Sequence, residues 1–154
     1  MALTTLGNTA FGTSSVVSAA IKDNAVVYNK LDANTAHVDR NNNFTVAQRG
    51  TISALGVQTS TVSLTLTDAN HYSLTTNGNI TIANPTGINS GQSGSITLTS
   101  NGSYTVSWGS YWRFASGTAP TMSTTAGKQD RVDYYVYSSN TIHAVATIDL
   151  LGTA

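Results

Sequence analysis

The side chains able to do chemistry in this 154-residue chain are few and scattered. The histidines are His37, His71 and His143, and no two share a short metal-binding spacing. His71 and His143 fall in the polar register of strand-like runs, where a solvated imidazole is the ordinary outcome. All seven acids are Asp. A glycosidase needs two carboxylates converging on one bond. Asp130 and Asp133 stand three apart on a predicted strand, so they point to opposite faces. Asp130 reads as a turn or strand-end residue and Asp133 as a solvated strand residue. Gly87, Gly91 and Gly94 form a turn-rich loop with no helix after it, which argues against a phosphate cradle. There is no nucleophile elbow, Walker loop or dinucleotide fingerprint. The expectation is a protein that is not an enzyme, with no metal and no cofactor.

The densest group of interactive side chains is aromatic: Tyr104, Trp108, Tyr111, Trp112 and Phe114. Exposed rings stack on sugars, and Arg113 beside Trp112 suits a glycan acid or a neighbouring subunit. Tyr111, Trp112 and Arg113 are therefore the candidate glycan or subunit contact. The plainer reading is core packing. Trp108 continues the apolar register of Val106, and Phe114 folds under the Gly-rich turn after it. Packing is the stronger of the two readings, because large aromatics are mostly buried.

The elements that must hold these residues are legible from composition and period. Charged residues are only 9% of the chain, while Thr, Ser and Asn number 25, 18 and 14. Thr favours strands, and Ser and Asn favour turns, so the bias points to an all-β protein. Val62, Leu64 and Leu66; Tyr72 and Leu74; Ile80 and Ile82; Ile96 and Leu98; and Tyr104, Val106 and Trp108 each alternate with polar residues. That period of two predicts antiparallel strands with one face buried. Turn chemistry separates the runs, including Asn77-Gly78 and Asn101-Gly102, which read as hairpin signals. Residues 131–138 and 141–150 predict a closing hairpin joined at Ser139-Asn140. The expected architecture is an antiparallel sandwich or jelly-roll-like domain. Residues 1–42 predict an extended or partly helical arm, and residues 43–154 the β domain, with the run Asn41-Asn42-Asn43 at the boundary.

Zero net charge and seven scattered cations argue against nucleic acid and against anionic lipid. There is no cysteine, so no disulfide framework and no thiolate metal site. No apolar run approaches a membrane span, and residues 1–12 lack a signal-peptide pattern, so the expectation is a soluble product made in a cytoplasm.

Three segments carry a resemblance. They are residues 77–92 (NGNITIANPTGINSGQ), 106–121 (VSWGSYWRFASGTAPT) and 142–150 (IHAVATIDL). They resemble a module of tailed-bacteriophage virion proteins, found near the C-termini of tail fibres and in short head proteins. Residues 43–50 (NFTVAQRG) are similar to the usual lead-in of that module, and residues 21–31 (IKDNAVVYNKL) to the short repeats of fibre shafts. The resemblance spans about residues 43–150 and implies a virion structural protein that works as a homotrimer. A short chain with an apolar arm suits a capsid decoration protein, either a cement protein or a short head fibre or spike. Its arm residues Leu3, Leu6, Phe11, Val16, Val17 and Ile21 would dock on the major capsid protein or another virion protein. The alternative is a receptor-binding tail-fibre domain that recognises host surface glycans.

Overall fold

The computed structural model describes Ala47 and residues 49–150. The arm residues Leu3, Leu6, Phe11, Val16, Val17 and Ile21 lie outside the described residues, as does most of the 43–50 lead-in. The chain divides between Ala47 and Gln48, and every described strand belongs to the second unit. In chain order the strands are β1 (Ile52–Gln58), β2 (Thr61–Val62), β3 (His71–Thr76), β4 (Ile80–Ile82), β5 (Ser93–Ser100), β6 (Val106–Trp108), β7 (Trp112–Arg113), β8 (Gln129–Ser138) and β9 (Thr141–Thr147). The all-β class is as expected. One 3₁₀ turn at Ala115–Gly117 is the only helical element among the described residues.

The strands form two sheets. The larger has the order β1-β3-β5-β8-β9-β7 and the smaller the order β2-β4-β6. Within the first half, β1, β3 and β5 pair in parallel, and so do β2, β4 and β6. The chain thus passes from one sheet to the other and returns one strand further along each time. This is a parallel β-coil of three turns. A parallel bridge between Thr65 and Thr86 ties the first two turns again, with the hydroxyl oxygens 3.3 Å apart. After β6 the path changes. The chain crosses to β7 at the far edge of the large sheet, then returns as the antiparallel hairpin β8–β9, with β8 against β5.

The antiparallel expectation therefore holds for the pairs β5–β8 and β8–β9 and is corrected for the pairs among β1 to β6 and for β7 with β9, which are parallel. The cause lies at the corners. A hairpin turn at Asn-Gly needs positive φ, and neither Asn77 nor Gly78 has it. Asn77-Gly78 instead joins β3 to β4 in the other sheet. Gly78 is needed there because a Cβ would come within 2.8 Å of the Thr59 carbonyl oxygen on the turn below. Asn101 repeats the corner one turn on, and its side-chain amide donates to the Asn77 side-chain oxygen at 3.1 Å. The alternation itself is identical in parallel and antiparallel strands, so period alone does not distinguish them.

Alternation still decides what is buried. Val62, Ile80 and Ile82 of the small sheet share one core with Tyr72, Leu74, Ile96, Leu98, Val132, Val136 and Ile142 of the large one. Stacked turns place like on like: Val62 pairs with Ile82 and Ile82 with Trp108, while Leu74 pairs with Leu98. Each such side chain stabilises the domain by about 1.5–3 kcal/mol relative to exposure.

The second tight approach is at Gly94, opposite Tyr134. A Cβ there would collide with the Asn70 carbonyl oxygen, and would sit 2.5 Å from the Tyr134 hydroxyl. That carbonyl already accepts the Ser95 N–H at 3.0 Å and the Tyr134 O–H at 3.3 Å, so it is not free to move. Gly94→Ala should cost more than about 3 kcal/mol, and Gly78→Ala about 1–3 kcal/mol, as overpacked sites do. Chemical denaturation of both variants checks the order. Equal and small losses would contradict the stacking described here.

Candidate functional site

The second half of the domain carries the reactive groups. Between Ile52 and Trp108 the only charged residue is Asp68, whereas Arg113, Lys128, Asp130, Arg131, Asp133 and Asp149 follow. Strand alternation sorts them. On β8, Val132, Tyr134 and Val136 point inward, which turns Arg131, Asp133, Tyr135 and Tyr137 outward. On β9, Ile142 and Ala144 are buried, and His143 and Val145 face out.

Register then lines the outward groups up across the strands. Ser93 pairs with Tyr135, Tyr135 with His143, and Arg113 with His143. The next row runs from His71 through Ser95 and Asp133 to Val145. The His143 ring stacks on Tyr137 at 5.2 Å and 13° and lies 6.4 Å from Tyr135. Tyr135 and Tyr137 are 47% and 63% exposed, although His143 covers one face of the Tyr137 ring. Asp133 is paired with Arg131 at 3.0 Å, and the His71 Nδ1 lies 2.9 Å from the Ser95 hydroxyl.

Two shallow depressions adjoin on this face. One, of about 550 Å³, is lined by Arg49, Asn70, His71, Ser93 and Asp133 among others. The other, of about 650 Å³, includes Arg113, Phe114, Tyr135, His143 and Val145. Asp133 and Tyr134 belong to both.

The three residues Tyr111, Trp112 and Arg113 do not form one contact. Successive strand residues face opposite ways, so Arg113 joins the outer face while Trp112 enters the core. Trp112 is 5% exposed, and its indole N–H donates to the Ala83 carbonyl at 3.1 Å. Its ring meets Trp108 edge-on at 5.2 Å and Tyr134 at 5.9 Å, and Trp108 meets Phe114 at 5.0 Å. This cluster joins the two sheets, as the packing reading expects. Tyr111 is half-buried against the core, with its backbone N–H held by the Asn84 side chain at 2.9 Å. Burial, with a smaller push from Tyr72, lifts the Tyr134 hydroxyl to about 12, so the phenol stays neutral.

The carboxylates separate as expected from their spacing. Asp133 lies on the outer face. Asp130 is buried, second in β8, and accepts the Ser123 N–H at 2.6 Å, the Ser123 hydroxyl at 2.7 Å and the Asp149 N–H at 2.8 Å. It clasps the loop before β8 to the segment that follows β9. His37 lies outside the described residues. Among the described residues no three His, Cys, Asp or Glu side chains gather to hold a metal ion. No helix among them is long and apolar enough to cross a membrane.

The outward residues Tyr135, Tyr137 and His143 were not singled out as a site by sequence reasoning. The available signal was the outward register of the closing hairpin, where aromatics stand in place of Ser and Thr. Compared with known proteins, the chain matches no family model, no curated protein and no solved structure.

Truncating Trp112 tests the division between core and surface. Trp112→Ala should cost about 3–5 kcal/mol, the usual loss for a buried aromatic. Arg113→Ala should stay within about 0.5 kcal/mol of the parent, as exposed positions do. Thermal unfolding of the two variants measures both. A Trp112→Ala protein as stable as the parent would contradict the buried placement.

Proposed function

We propose that the chain is a non-catalytic structural protein of a tailed-bacteriophage virion, a trimeric capsid decoration protein anchored by residues 1–42. The observation that carries this reading is where the resembling segments fall. Residues 77–92 supply a coil corner and β4. Residues 106–121 supply β6, β7 and the crossing between them, and residues 142–150 span most of β9. Within them, Asn84 accepts the Tyr111 N–H and donates to the Ser110 hydroxyl at 3.1 Å, while Trp108, Trp112 and Phe114 join the sheets. The likeness is thus a likeness of framework, which fits a protein whose task is to be a scaffold.

Two further features support the reading. The chain has few long charged side chains to immobilise at a contact, which lowers the entropic cost of association. Large apolar residues stand exposed at the two ends of the described chain: Ile52 and Val57 on the edge strand β1, and Ile148 and Leu150 after β9. Such residues gain by being covered by another copy or by the shell.

Electron microscopy of virions labelled with an antibody to this chain tests the proposal, with a chain lacking residues 1–42 run in parallel. Head labelling that disappears with the deletion is the expected result. Tail labelling would transfer the chain to the receptor-binding fibres. Absence from purified particles would overturn the virion assignment.

A further inference from the structure

We infer that the outer face of the large sheet binds an acidic oligosaccharide lying across the strands. The two depressions that share Asp133 run from Arg49 and His71 at one end to Arg113 and Phe114 at the other. They cross β3, β5, β8, β9 and β7, a distance of about 19 Å at the usual strand spacing. That is room for several sugar rings.

The groups along this path are those that recognise sugars. Tyr135, which lines the second depression, offers exposed ring surface for the apolar face of a pyranose, and His143 is held between it and Tyr137, one face of which it covers. Ser93, Ser95, His71 and Asn70 offer short hydroxyl, imidazole and amide groups for sugar hydroxyls. A concave, partly apolar surface with a few polar groups converging on it is the common form of a small-ligand site.

Charge selects the acidic class. Arg131 neutralises Asp133, and neither Arg49 nor Arg113 has an ion-pair partner among the described residues. Two guanidinium groups, one at each end, are left to meet carboxylates, for which their planar forks are well shaped. A peptide strand fits this face less well. It would need free main-chain groups along a sheet edge, whereas β3, β5, β8 and β9 on this path are paired on both sides, and the edge strand β7 is only two residues long. This assignment goes beyond the virion reading and holds for a head or a tail location.

Calorimetric titration of the full chain at low salt tests it. The probes are hexasaccharides of galacturonate, of mannuronate and of sialic acid, each beside its uncharged methyl ester. At least one acid form should bind, with its ester weaker by roughly tenfold or more. Added salt should weaken binding. Arg113→Ala and Tyr135→Ala should each weaken it by roughly fivefold or more, while Arg113→Lys retains part of it and the oligomer mass stays that of the parent. The inference is overturned if no acid form binds at millimolar concentration, or if acid and ester bind alike. It is equally overturned if the two alanine variants change the oligomer mass, since the face would then be a subunit contact.

Discussion

Everything in this domain depends on one turn of chain lying in register on the next. Adjacent turns are separated by a strand spacing of about 4.8 Å, so each side chain lies almost in contact with its counterpart above. Only matching neighbours tolerate that. Apolar residues stack inside, as Leu74 on Leu98, and Thr75 pairs with Thr99 outside. Asn77 and Asn101 bond to each other at the corner. A charge repeated from turn to turn would meet its own sign at the same short distance, which is destabilising. The near absence of charge between Ile52 and Trp108 follows from this, and so does the wealth of Thr, Ser and Asn.

A parallel stack cannot end by itself, because its last strand leaves unpaired backbone groups. Here the hairpin β8–β9 closes one side of the large sheet by pairing with β5. Asp130 fixes that closure by holding Ser123 and Asp149 together, and Lys128 adds an ion pair to Asp149 at 2.8 Å. At the other side β1 carries a bulge, with Leu55 and Gly56 opposite Leu74, which disturbs the edge. Freed from the stacking rule, the closing hairpin is where charged and large aromatic side chains can be displayed. The exposed aromatic side chains Tyr135 and Tyr137 thus stand on the closing hairpin, and the stacked turns carry mainly short uncharged ones.

The strands and their inward faces were legible in the sequence, because alternation reports burial whichever way strands run. Direction was not, since Asn77-Gly78 serves equally well as a hairpin or a coil corner. One signal does distinguish them. Residues 72–79 (YSLTTNGN) and 96–103 (ITLTSNGS) match without a gap at a spacing of 24, and that is the spacing of the observed pairing of Tyr72 with Ile96 and Leu74 with Leu98. At the site, Trp112 stood among the candidate contact residues, and only the general preference of large aromatics for burial pointed to the core. Its separation from Arg113 follows from alternation once β7 is known to be a strand. The assembly of Tyr135, His143 and Arg113 was not legible, because it depends on β7 returning beside β9 from a distant part of the chain.

The absence of cysteine allows a direct test of the parallel stack. Ser73 and Thr97 are paired on the outer face of β3 and β5, at a separation suited to a disulfide, and neither belongs to the core. A chain carrying Ser73→Cys and Thr97→Cys should form an intramolecular disulfide under mild oxidation and remain folded. If the two thiols stay free and fully reactive in a chain that is still folded, the turns are not stacked as described, and the account built on them fails.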